Sequence, residues 1–141
     1  MEIAKQNRLQ YNLWNTAESL DLPQTGLVCW LKFNFIVIPR SFMLFVTSFN
    51  SIKKHRGLMH LCNTMCENGK CMGSLYKSVK KTRDRYMQVI PMLEKIPYRT
   101  KNLILKMYRH SLNEWDNLAE DCLLASDPEI RSLVGRIAAA V

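Results

Sequence analysis

GSLYKSVKKTRDRYMQVIPMLEKIPYRTKNLILKMYRHSLNEWDNLAEDCLLASDPEIRSLVGRIAAAV, residues 73–141, reads as three helical periods in succession. The first covers 74–90: Leu75, Val79, Thr82, Tyr86 and Ile90 alternate at steps of three and four, and Leu93 continues the series. At about 100° per residue, Lys77, Lys80, Lys81, Asp84 and Gln88 fall on the opposite side. Ser74 after Gly73 is the expected N-cap, and Pro91 is expected to end or kink the helix. The second period covers 100–125, with the seam Ile104, Tyr108, Ser111, Trp115, Leu118, Cys122 and Ala125, widened by Leu105, Leu112, Ala119 and Leu123. The third covers 128–141. There Asp127 caps, Pro128 takes the first helical position where its missing donor costs nothing, and Glu129 faces the positive end. Ile130, Leu133, Val134, Ile137, Ala138 and Val141 follow at helical spacing. None of these stripes can be buried alone, and the connections are short. The expected fold is therefore mainly α, with a C-terminal antiparallel three-helix bundle over 73–141.

Upstream the pattern changes three times. Residues 1–26 hold an amphipathic helix over 2–20, with Leu9, Leu13, Ala17 and Leu20 on one side; Leu22-Pro23 and Thr25-Gly26 stop it. Residues 27–49 are dense in Phe33, Phe35, Phe42, Phe45 and Phe49, with Ile36, Val37, Ile38, Leu44 and Val46 between them. The stretch has the length of a membrane span, but Lys32, Pro39 and Arg40 lie inside it and disfavour one. Two strands, 28–38 and 42–47, around a Pro39-Arg40-Ser41 turn fit its β propensity better, with a buried helix from about Pro39 as the alternative. Its composition is also what thymine-rich codons encode, which makes Met72 a second candidate start. Residues 50–72 return to polar chemistry, with Lys53-Lys54-His55-Arg56, a short helix over 58–65 and an exposed turn at Glu67-Asn68-Gly69-Lys70.

The 141 residues carry 20 basic and 12 acidic groups, a net charge of +8, which suits polyanions or acidic protein surfaces. The charge is concentrated: residues 73–111 hold ten basic and two acidic groups, and residues 112–141 hold two and six. The cysteines number five, Cys29, Cys62, Cys66, Cys71 and Cys122. The odd count and the lack of an apolar leader fit a reducing compartment.

Candidate chemistry is sparse. His60, Cys62, Cys66 and Cys71 form the one metal-like cluster, with donors suited to zinc. Their gaps of one, three and four residues do not resemble the two close pairs of structural zinc sites. Cys62 has His60 nearby but no orienting group or oxyanion site. No GxGxxG or GxxxxGK[ST] phosphate cradle occurs, and an enzyme is not expected. The basic face of the 74–90 helix could meet phosphates, which keeps nucleic acid among the alternatives, although Tyr76 and Tyr86 offer little base-stacking surface.

Leu75-Tyr76-Lys77 opens a basic helix with Arg83 beyond it. Tyr98-Arg99 precedes the second helix, Tyr108-Arg109 lies within it, and Asp127-Pro128-Glu129-Ile130 opens the third. In this order the residues resemble the LYR-motif proteins of mitochondria, over 73–141 only. Lys77 stands where that family has arginine, and Tyr108 where it usually has phenylalanine. The resemblance implies a non-enzymatic helical subunit or assembly factor of a mitochondrial complex. It further implies binding of the acidic acyl carrier protein, with Tyr76, Lys77, Lys80, Lys81, Arg83, Tyr108 and Arg109 as partner-binding residues. By the same resemblance the chain has no cofactor of its own, and the carrier's acyl-phosphopantetheine enters the helical core. A generic basic protein-interaction module is the alternative.

Overall fold

The computed structural model describes residues 2–65, 70–126 and 136. The chain is mainly helical, and no strand occurs among the described residues. Helix α1 spans Glu2–Leu20, and its stripe of Leu9, Leu13, Ala17 and Leu20 is buried, as the periodicity requires. Asp21 closes its last turn, its N–H reaching the carbonyls of Ala17 and Glu18. Gly26, at φ +86°, redirects the chain, a backbone setting that side-chain-bearing residues rarely adopt.

From there the expected strands give way to one long rod. Helix α2, Gly26–Lys32, passes through a single wide turn, Phe33–Val37, into helix α3, Ile38–Met65. Lys32, Phe33 and Ile38 all keep right-handed helical dihedrals, so no break interrupts the rod. The wide turn has a cause. Proline in a helix lacks a donor and collides with the carbonyl four residues back, here that of Phe35. In the turn before Pro39, the Ile38 N–H instead reaches the Phe33 carbonyl, five residues back. This loosened winding makes room for the proline ring. The Pro39-Arg40-Ser41 turn is thus replaced by helix. So is most of the polar linker, since α3 continues to Met65 and absorbs the short helix expected over 58–65.

Helix α4 spans Lys70–Glu94, starting four residues before the expected Ser74 cap and passing straight through Pro91. Pro91 and Met87 are both exposed, so the carbonyl that the proline displaces can bond water instead. Helix α5, Lys101–Ser126, matches the expected span within a residue at each end. Apart from residue 136, residues 128–141, the expected third helix of the bundle, lie outside the described residues.

Four long helices close one core. Helices α4 and α5 run antiparallel and make the principal contact. Helix α1 runs parallel to α4, with Gln10 bonded to Thr82. Helix α3 runs parallel to α5: Ser41 meets Tyr108, Ser48 meets Trp115, and Arg56 meets Asp121. The stripes of α4 and α5 are therefore covered by α1 and α3. Trp115, Leu118, Ile104, Val79, Tyr86, Leu93, Leu9 and Leu13 form the centre. Fully burying one such side chain contributes on the order of 1.5–3 kcal/mol, the largest favourable contribution here.

Candidate functional site

The polar side of α4 follows from its winding. Val79, Thr82, Tyr86, Val89, Ile90 and Leu93 turn inward and are buried. The residues half a turn away, Lys77, Lys80, Lys81, Asp84 and Gln88, are all exposed. The cations expected to bind a partner then fall into two groups. Arg83 is largely covered and lies 3.3 Å from Asp84 and 3.5 Å from Asp116 of α5. Arg109 lies 3.1 Å from Glu94. Lys77, Lys80 and Lys81 have no carboxylate partner among the described residues. Their field is therefore less offset by neighbouring charge and is available to an external anion.

Tyr76 is half-buried against the core at the edge of this face. Tyr108, grouped with it as a partner-binding residue by the resemblance, lies in the interior, as its place in the α5 seam requires: it is only 3% exposed. Its hydroxyl lies 2.8 Å from Ser41 Oγ, and Ser41 in turn donates to the Val37 carbonyl at 2.7 Å. With the Ser41 proton used there, the Tyr108 hydroxyl is the donor to Ser41. Burial pushes the Tyr108 phenol above the usual tyrosine range. Tyr98, named in the resemblance, packs on Phe33 and donates to the Gln24 carbonyl at 3.3 Å. Arg99 is exposed in the connection between α4 and α5.

Sequence reading along one helix at a time missed a neighbour. Because α1 lies parallel to α4, Gln10, Tyr11 and Trp14 come to line a groove with Lys81 and Arg85. Tyr11 and Trp14 are exposed, with ring centroids 6.5 Å apart. The basic face of α4 thus continues onto an aromatic ledge supplied by α1. The only advance signal was that both aromatics fall off the inward stripe of α1.

The metal-like cluster is not assembled by the residues that can be placed. His60 and Cys62 are two apart on α3, about 200° around the helix, so they do not converge on one metal ion. His60 is exposed, whereas Cys62 packs against the core. Cys66 lies outside the described residues, and Cys71 is described by its backbone alone. Among the described residues no group of three or more histidine, cysteine or acidic side chains converges. His55 is buried, with Nδ1 2.7 Å from the Ser51 carbonyl and its ring edge-on to Trp115. It serves the packing of α3 on α5. Comparison of the chain with family models, with curated proteins and with solved structures finds no match to any of them.

Proposed function

We propose that the chain is a non-enzymatic helical docking module that binds an acidic protein through the outer face of α4. One observation carries the reading. Lys77, Lys80 and Lys81 stand exposed along α4 with no carboxylate partner among the described residues, while Arg83 and Arg109 on the same bundle are engaged. A like-signed row of this kind steers an oppositely charged surface and fixes its register. The finer version follows the LYR-like residues Leu75-Tyr76-Lys77: the partner is acyl carrier protein, and the module serves a mitochondrial complex as subunit or assembly factor. Entry of an acyl chain would require α4 to part from α1 or α5, because Val79, Tyr86 and Leu93 fill the space behind the lysines.

Affinity capture of the full chain from a mitochondrial fraction tests this, comparing wild type with Lys77→Glu, Lys80→Glu and Lys106→Glu. The last changes the charge equally but sits on α5. Capture of an acidic carrier protein, lost in the first two variants and kept in the third, is the expected result. Equal capture by all three, or no carrier at all, contradicts the reading.

A second reading rests on Tyr11 and Trp14. Aromatics beside Lys81 and Arg85 could stack single-stranded bases while the cations meet phosphates. It predicts log affinity for a single-stranded oligonucleotide falling linearly with log salt, and loss of binding on Trp14→Ala.

A further inference from the structure

The outer side of the α2–α3 rod carries side chains that a water-facing helix does not ordinarily show. On α3, Phe42, Met43, Val46 and Phe49 point away from the core, opposite Ser41, Leu44 and Ser48. Met43 is 72% exposed. Toward the N-terminal end of the rod, Leu27, Val28, Trp30, Leu31, Phe35 and Ile36 are exposed as well, Phe35 at 68%. At about 1.5 Å per residue this apolar band runs roughly 33 Å along the bundle. An exposed apolar face of that length, even with Lys32 within it, marks an interaction site.

Charge says what covers it. No aspartate or glutamate occurs between Asp21 and Glu67, while Lys32, Arg40, Lys53, Lys54 and Arg56 do. Lys32 is exposed within the N-terminal part of the band and Lys53 one turn beyond its C-terminal end, and the Lys53 ammonium sits 4.7 Å from the Phe49 ring centre. Arg40 is flanked by Glu18 and Asp21 of the α1 end, and Arg56 lies 3.3 Å from Asp121. Lys32 and Lys53 therefore supply the charge that faces outward. Apolar side chains on the outer face, with long-stemmed lysines and a tryptophan interspersed or adjacent, match the boundary between lipid headgroups and acyl chains.

We propose that the α2–α3 face lies in the plane of a bilayer bearing anionic lipids, its apolar side chains among the upper acyl segments and its lysines among the headgroups. The rod does not cross. Ser41, Phe45 and Ser48 stand level with Tyr108, His110 and Trp115 of α5, where Arg109, His110 and Glu114 meet water. A crossing would carry those charges into hydrocarbon. This surface is separate from the α4 lysines, and its use does not depend on them.

Flotation of the full chain with phosphatidylcholine vesicles, with and without phosphatidylserine, is the test. The expected result is binding that requires phosphatidylserine, weakens with salt and is released by alkaline carbonate. Lys32→Glu and Lys53→Glu should each weaken it by roughly tenfold. Met43→Asp and Val46→Asp, at positions already in water, should abolish it while leaving the helical circular dichroism unchanged. Failure to float with either vesicle overturns the proposal, as does carbonate-resistant association. Self-association of the free chain that Met43→Asp abolishes, without vesicle binding, would assign the face to a second copy instead.

Discussion

Two buried tyrosines on facing helices make opposite predictions. The Tyr108 hydroxyl donates to Ser41, so Tyr108→Phe removes a buried bond and should destabilise the protein by about 1 kcal/mol. The Tyr86 hydroxyl faces Ser48 and Ser111 yet completes a hydrogen bond to neither. Removing an unsatisfied buried hydroxyl removes its desolvation cost, so Tyr86→Phe should leave stability equal or higher. Urea midpoints of the two variants, measured side by side, check both. Cys122 adds a pH dependence. Burial, with the Asp121 carboxylate beside it, pushes its thiol from 9.0 up to about 11. A folded-state pKa above the unfolded one means that its contribution is complete below pH 9 and declines as pH rises toward 11. Stability should therefore fall across that window, and Cys122→Ala should flatten the fall. Both tyrosines, also raised by burial, extend the decline above pH 10.

Among the elements, α1 and the seams of α4 and α5 were legible in sequence because their buried positions are apolar at regular helical steps. The α2–α3 rod was not, for a physical reason. Its inward stripe reads Phe33, Val37, Ser41, Leu44, Ser48, Ser51 and His55, more polar than its outward side. Those inward polar groups are satisfied locally, Ser41 by the carbonyl one turn back and His55 by that of Ser51, or across the interface, Ser48 by the Trp115 N–H at 2.7 Å. With apolar residues facing both ways, no helical period shows, and Pro39 supplied a false stop. The helices predict their own glycine responses. Gly57 and Gly73 lie within α3 and α4 with open space where a Cβ would be added, so alanine at either should stabilise by about 0.5–1 kcal/mol. Gly26→Ala should instead destabilise by roughly 1 kcal/mol, because φ there is +86°. Thermal unfolding distinguishes these cases; no gain at Gly57 would return that stretch to a linker.

At the scale of the whole molecule, the bundle sets its two outer surfaces apart by composition. The α4 face offers three lysines whose nearest carboxylate, Asp84, is engaged by Arg83, and the α2–α3 face offers apolar side chains accompanied by lysines. The outward lysines of α4 were legible in the sequence, because their spacing alone separates them from the inward stripe. The aromatic ledge of Tyr11 and Trp14 was not, since it exists only where α1 lies along α4. Burial of Tyr108 could be anticipated from its place in the seam of α5. The most direct measurement is a calorimetric titration of acyl carrier protein into the purified full chain, repeated with Lys77→Glu/Lys80→Glu. The prediction is saturable binding by the wild type, weakened by about a hundredfold in the double variant at unchanged thermal stability. No heat of binding to the wild type, or the same affinity in both proteins, would contradict it.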